Sequence, residues 1–313
     1  MKTENRFAST IQTLSKDLAR KHRFYMRLFL IGVCIITIAS GIFIIKNSVG
    51  LMSGLTIFVV LMSLLPCILI YHGLNFFYKR TAKSILTESI AEAANMTYER
   101  DGVMKLSDVL AHKILPSADA QSSEDGFSGV YHDVRIDLQE VRLTDVGQRQ
   151  RARTANQRRT TYESVEHDVF WGVVIRLRLQ KPMEGHTIVM PRSRLQSTLR
   201  TKFTEFQKIN LVSPKWKKSY DVISTDQVEA RVVMNPAFIE RFMEASKIFR
   251  AKYIEASFKD SEILFAIHRG RDLFESLPLW QTVTAKRIET ITRELEIIFE
   301  IIDVLKLNKQ INI

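Results

Sequence analysis

With 313 residues, 45 Lys or Arg against 34 Asp or Glu, and a formal net charge of +11, the chain is basic and long enough for one sizeable domain or two small ones. Residues 1–83 hold eleven of the cations against only Glu4 and Asp17, so residues 84–313 carry just +2. That placement argues against a nucleic-acid binder, whose cations cluster on the folded domain. The two cysteines, Cys34 and Cys67, lie in apolar runs, which excludes disulfides, cysteine-ligated zinc and thiol catalysis from the remainder.

In chain order, residues 1–27 are polar and basic, with Phe7, Ile11, Leu14 and Leu18 at three- and four-residue spacing. This predicts a short amphipathic helix on the inner membrane surface, running into the first apolar run. Residues 28–45 and 51–74 are apolar runs without Asp, Glu, Lys or Arg, joined by five residues. They read as a transmembrane hairpin (28–74), since soluble helices seldom stay uncharged all round over such lengths. A cleaved signal peptide is disfavoured by the long lead and by the second run following so soon. Lys2, Arg6, Lys16, Arg20, Lys21, Arg23 and Arg27 precede the first run and Lys79, Arg80 and Lys83 follow the second, whereas the connecting loop has only Lys46. By the positive-inside rule both termini are cytoplasmic, with Phe24, Tyr25, Phe76, Phe77 and Tyr78 as the interfacial aromatic belt. Pro66 is a candidate kink.

Residues 75–98 predict a helical connector: Ile85, Leu86, Ile90 and Ala93 or Ala94 keep helical period to about Thr97, and Gly102 breaks it. A short helix from Ser107 or Asp108 to Ile114 is stopped by Pro116, and the Ser-, Ala-, Asp- and Gly-rich stretch 117–129 reads as a loop. Alternation then predicts strands around Val134, Ile136 and Leu138, from Val173 to Leu179, and over 187–190. Between the first two lies 148–161, a mobile hairpin loop by composition, with Arg149, Arg151, Arg153, Arg158 and Arg159. Residues 220–224 and 228–234 read as extended, and Asn235-Pro236 starts a helix with Phe238, Phe242, Ala245 and Phe249 as its buried stripe. Residues 254–258 and 263–267 form a strand-turn-strand unit. A helix from about Val283 carries Ile288, Ile291, Leu295, Ile298, Ile302 and Leu305 as a heptad seam. The whole is α+β: a two-helix transmembrane hairpin, then a cytoplasmic antiparallel-sheet domain with flanking helices over 99–313.

No phosphate-cradling glycine loop, GxSxG elbow or HExxH pair is present. His112, His132, His167, His186 and His268 fall on separate elements. Glu166-His167-Asp168 cannot chelate together on a strand, where neighbours point to opposite faces. No catalytic residue, metal ligand or cofactor is assigned. The arginine run reads as a solvated loop or a contact for anionic lipid, worth about 1 kcal/mol per cation near a charged membrane surface. The seam reads as packing on the domain's own sheet or as a helix offered to a partner. Asp226, Glu229 and Arg231 read as an ion-pair network, with Asp226 also able to cap a turn, or as a conceivable carboxylate pair.

The two apolar runs, Ser123-Glu124-Asp125-Gly126-Phe127-Ser128-Gly129-Val130-Tyr131, Phe170-Trp171-Gly172, Tyr220-Asp221-Val222, Ser224-Thr225-Asp226-Gln227-Val228-Glu229-Ala230-Arg231, Pro236-Ala237-Phe238 and Leu273-Phe274-Glu275 resemble the bacterial membrane family catalogued as domain of unknown function 3137. The basic stretch at 148–161 departs from that pattern. The resemblance implies a bacterial inner-membrane protein with a cytoplasmic α+β domain, no established activity, and a partner of the LemA type of helical membrane protein. The expected function is a membrane-anchored interaction or scaffolding module, with an anionic-lipid sensor as the second reading and an enzyme on a membrane-proximal substrate as the third.

Overall fold

The structure is a computed structural model that describes residues 7–46, 54–150, 162–193, 205–211, 214–270, 278–281 and 284–311. The chain divides into two units: Met1–Ala93 with Phe274–Thr290, and Ala94–Leu273 with Ile291–Ile313. Residues 274–290, assigned from the sequence to the sheet domain, therefore group with the hairpin.

In the first unit, α1 (Ala8–Lys46) and α2 (Gly54–Ala94) are single helices of 39 and 41 residues. The N-terminal amphipathic stretch is helical, as its spacing predicts. It runs unbroken into the first apolar run, and Phe7, Leu14 and Leu18 are buried within the chain, not free to lie on a bilayer. Ring pairs Phe29–Tyr71 and Tyr25–Tyr78, and Ile70 in contact range of Gly32, order the two helices antiparallel. Helix α2 continues through Pro66, and both cysteines are free. Both helices are long and apolar enough to cross a membrane, and the most apolar window of each is 0% buried. Large side chains such as Ile35, Ile45, Leu61 and Leu69 face outward all along them.

Helix α2 stops at Ala94 because Asn95 takes a left-handed backbone (φ 59°), a conformation asparagine tolerates at helix ends. The next residues form β1 (Met96–Glu99), where the sequence predicts a helix to about Thr97. Helix α3 (Leu106–Leu110) is shorter than predicted and has no side-chain cap. Stretch 117–129, composed like a loop, forms β2 (Ala120–Tyr131). Its glycines serve packing: a Cβ on Gly126 would stand 2.8 Å from the Gly102 Cα, and one on Gly129 2.7 Å from Met96 Cγ. Pairing on both edges, with β1 and β3, overrides the composition.

β3 (Val134–Gln150) and β4 (Tyr162–Arg178) form the longest pair of strands, paired from Arg135 opposite Arg178 to Gln150 opposite Tyr162 with a register shift between Leu143 and Thr144. Then follow β5 (His186–Pro191), β6 (Gln207–Ile209), α4 (Pro214–Ser219), β7 (Tyr220–Ser224), α5 (Gln227–Val233), α6 (Pro236–Ile248), β8 (Tyr253–Lys259), β9 (Glu262–His268) and α7 (Ala285–Ile311). The described strands make one antiparallel sheet in the order β1-β2-β3-β4-β9-β8-β5-β7-β6.

Of residues 228–234, read as extended, all but the C-cap Met234 belong to α5. Asp226 Oδ1 accepts from the Val228 and Glu229 amides, and Ala230 and Val233 bury its inner face. Asp226→Ala is expected to cost about 1 kcal/mol by leaving two amides uncapped, read as a lower urea midpoint of the full chain. Asn235 caps α6 as predicted, its Oδ1 accepting from the Phe238 amide at 3.0 Å.

Alternation along the strands gives the sheet two buried faces. On one, Phe242, Ala245 and Phe249 of α6 and Ile298 and Ile301 of α7 meet Ile175, Ile254, Phe265 and Ile267. On the other, residues 103–118 lie as a strap: Met104, Val109, Ile114 and Leu115 share a core with Val141, Val174, Ile188 and Leu264.

Candidate functional site

The strap is held by polar groups on the sheet face beneath it. Gln139, fully buried, accepts the Val103 and Met104 amides on Oε1 at 2.6 and 2.7 Å and donates Nε2–H to the Met104 carbonyl at 3.1 Å. Further along, Asp108 of α3 accepts from Arg176 Nη1 at 3.2 Å. Arg176 also donates Nη2–H to the buried Asp137 at 2.8 Å. Next, His112 Nδ1 lies 3.1 Å from Ser257 Oγ, and His112 Nε2 lies 3.4 Å from Glu262 Oε2. His186 Nε2 reaches the same Ser257 Oγ at 2.8 Å.

Proton supply fixes the direction of this chain. A carboxylate only accepts, so His112 Nε2 donates to Glu262 and its Nδ1 accepts the Ser257 hydroxyl proton. Ser257 Oγ then accepts from His186 Nε2–H. Burial lowers both histidines below their ordinary range. His186 is pushed down to about 4 by burial and by the charges of His112, Lys259 and Lys113. For His112 burial outweighs the hydrogen bond and charge of Glu262. Glu262 is pushed up by burial but held below the usual carboxylate range by Arg178, Arg176 and His112. At neutral pH the two rings are thus neutral beside an ionised Glu262.

A histidine between a serine and a carboxylate, as His112 stands between Ser257 and Glu262, has the composition of a base with its nucleophile and orienting group. Ser257, however, is 0% exposed on an interior strand, with His112 at 3% and His186 at 8%, so no substrate atom can approach the hydroxyl. What the cluster does is fasten the strap to β5, β8 and β9. The folded histidines resist protonation, whereas the unfolded ones titrate near pH 6.5. Stability is therefore complete above about pH 6.5 and lost as pH falls toward the folded value, by up to about 3 kcal/mol for His186. His186→Gln is expected to flatten the fall in urea midpoint between about pH 7 and about pH 4.5. A wild-type midpoint that is constant across that range would contradict this.

A second feature of the sheet unit is an open groove of about 1180 Å³ between α5, α6 and the approach to α4. Trp216, Met234, Ile239 and Met243 supply its apolar lining, and Arg231, Glu240, Arg241, Glu244 and Lys247 its charges. Its rim is tied by ion pairs from Glu244 to Arg241 at 2.6 Å and to Arg293 at 3.2 Å.

Of the two readings of the seam, the burial of its residues fits internal packing and not a surface offered to a partner. Ile288, Ile291, Leu295, Ile298 and Ile302 are at most 3% exposed, because Ile297, Phe299 and Ile301 widen the stripe into a core face. Leu305 lies beyond the residues whose side chains are described. Of the arginines, Arg149 stands on β3 opposite Glu163, while Arg151, Arg153, Arg158 and Arg159 lie outside the described residues, as does Leu273-Phe274-Glu275. Stretch 148–161 is thus strand at its start, not loop throughout. Asp226 serves as a helix cap and Arg231 turns back onto Gln227, so the predicted network with Glu229 is not formed. His167 and Asp168 take different partners, Asp145 and Arg142. Among the described residues no three His, Cys, Asp or Glu are placed to hold a metal.

The histidine–serine cluster is not legible in the sequence because it joins elements distant in the chain, and the groove, although its lining falls within residues 210–248, depends on the angles at which neighbouring helices pack. The available signal was polar residues at alternate positions of apolar strands, such as Glu255, Ser257 and Lys259.

Residues 168–307 match the family model described as "Protein of unknown function (DUF3137)", the family that the motifs resemble. No curated protein matches the sequence. A solved structure, the crystal structure of the mycobacterial trehalose monomycolate transport factor A, TtfA, aligns at 12% identity with a TM-score of 0.37, over 71% of this chain and 96% of that one.

Proposed function

We propose that this chain is a membrane-anchored interaction module. Helices α1 and α2 cross a bacterial inner membrane as a hairpin with both termini cytoplasmic, and the sheet unit binds another membrane-associated protein. The observation that carries this is the outward-facing apolar surface of α1 and α2, with side chains such as Ile35 at 62% and Leu69 at 63% exposure. Contiguous apolar surface of that extent is covered by lipid or by a partner.

The groove is the binding surface we favour. Its methionines adapt to varied shapes, and its flanks carry both signs of charge. An amphipathic helix with an apolar ridge and charged edges complements both. A LemA-type helical membrane protein, the partner class implied by the family resemblance, is the first to test. A photo-crosslinker at Ile239 or Met243 of the full-length protein, co-expressed with that protein, should give a discrete adduct. The same probe at exposed Glu92 should give none. Adducts absent from both groove positions in a correctly inserted protein would reject the groove.

A second reading rests on the β3–β4 ribbon. Residues 145–150 and 162–168 run past the pairings with β2 and β9, and Val146 and Val165 are exposed there. The ribbon leads into the arginines, a chemistry suited to anionic lipid. Trypsin cleavage at those arginines should slow several-fold in anionic relative to neutral vesicles. Equal rates would dismiss this reading.

A further inference from the structure

The first unit holds a short turn whose position is set by both long helices. Residues 278–281 close on themselves through the Gln281 amide, which donates to the Pro278 carbonyl at 2.9 Å. Leu279, fully buried, has both peptide groups taken by helix side chains. Its amide donates to Asn75 Oδ1 of α2 at 2.7 Å, and its carbonyl accepts from His22 Nε2 of α1 at 2.8 Å. The next side chain, Trp280, stacks on Tyr71 of α2 with ring centres 6.0 Å apart and planes 17° apart, yet stays 66% exposed.

The level of this turn along the helices can be read from their contacts. Tyr71 meets Phe29, one residue inside the start of the first apolar run, and Tyr71 lies three residues before the end of the second. His22 and Asn75 mark the polar side of the same boundary, with Arg23, Arg27, Lys79 and Arg80 close by in the chain. Exposed Phe24, Phe76 and Phe77 stand in the same band. An indole there places an apolar ring toward hydrocarbon and an N–H toward headgroups. A turn can sit at that depth only if its peptide groups are satisfied without water, and those of Leu279 are.

Resting on the membrane-anchored reading, we propose that the Pro278–Gln281 turn is a second membrane-contacting element, which inserts Trp280 into the headgroup boundary as a lipid-binding wedge held by His22 and Asn75. The occupant of the exposed indole face is phospholipid, continuous with the lipid around the hairpin.

The test uses full-length protein in vesicles of phosphatidylcholine brominated near the glycerol end of its acyl chains, with the three tryptophans, Trp171, Trp216 and Trp280, as reporters. Wild-type emission should be quenched by the brominated lipid about twofold more than that of Trp280→Phe. The component lost in that variant should resist aqueous acrylamide. Asn75→Ala, which frees the Leu279 amide, should shift the same component to the red while the protein still floats with the vesicles. If the Trp280 component is quenched by acrylamide and untouched by brominated lipid in protein that floats, the wedge is wrong and the hairpin stands. Protein that fails to float at all overturns the anchored reading and the wedge with it.

Discussion

Asp137→Ala is expected to destabilise the full-length protein by about 3–5 kcal/mol, measured by urea unfolding in detergent with the buried Trp216 as reporter. The Asp137 side chain is 1% exposed and that of Arg176 6%, with an Nη2–Oδ2 distance of 2.8 Å. Ser128 Oγ donates to the other carboxylate oxygen at 2.8 Å, and Arg135 approaches it at 3.4 Å. Alanine leaves the Arg176 guanidinium under the strap with Asp108 as its remaining carboxylate, itself 40% exposed. The cost is the desolvated cation more than the lost attraction. Replacing both partners, Asp137→Leu with Arg176→Met, should recover most of it. A loss below about 1 kcal/mol for the single change would put the pair in the class of surface ion pairs and contradict this account. Burial pushes Asp137 up, but hydrogen bonds from Arg176 and Ser128 and the charges of Arg176 and Arg135 hold it below the usual carboxylate range. Its contribution is therefore present above the unfolded value and lost as pH falls through the folded one, a more acidic window than that of His186.

Gly172→Ala is expected to cost about 3 kcal/mol or more and to cut the yield of folded protein. A Cβ at Gly172 would collide with the Ile267 carbonyl oxygen, which is backbone of the adjoining strand and cannot rotate aside. The strands cannot separate there cheaply, since the Trp171 carbonyl accepts the Arg269 and Gly270 amides just beyond. The neighbouring motif residues are structural as well. Phe170 is buried edge-on to His268, and the Trp171 ring carries the Arg142 guanidinium, which Asp168 grips with two hydrogen bonds. If Gly172→Ala left the unfolding midpoint unchanged, the close approach of β4 to β9 would be wrong.

Periodicity identified the elements whose packing is local. The stripe of Phe238, Phe242, Ala245 and Phe249, the Asn235 cap and the β8–β9 hairpin were all legible, because each follows from residues a few positions apart. β2 was not, since its serines and glycines answer to strands on either side and to Gly102, none of which a local window includes. α5 was misread because Val228, Val232 and Val233 suit a strand, while a single carboxylate, that of Asp226, decides for a helix. The seam of α7 was seen, but a heptad stripe reads alike whether it meets a partner or its own sheet. Phe299 and Ile301 widen the stripe as in a core helix, and the burial of Ile291 to Ile302 agrees. The polar cluster under the strap was invisible, because His112, His186 and Ser257 meet only once the sheet order is set.

On the proposed reading, α1 and α2 form a membrane hairpin with the sheet unit on the cytoplasmic side. That topology fixes the pattern of cysteine accessibility in sealed right-side-out membrane vesicles of protein with Cys34 and Cys67 replaced by alanine. Ser48→Cys, between the apolar runs, should react with a membrane-impermeant maleimide in intact vesicles. Asp101→Cys, exposed in the sheet unit, should react only after the vesicles are opened. Equal labelling of both positions in intact vesicles, or release of the protein by alkaline carbonate, would contradict the account.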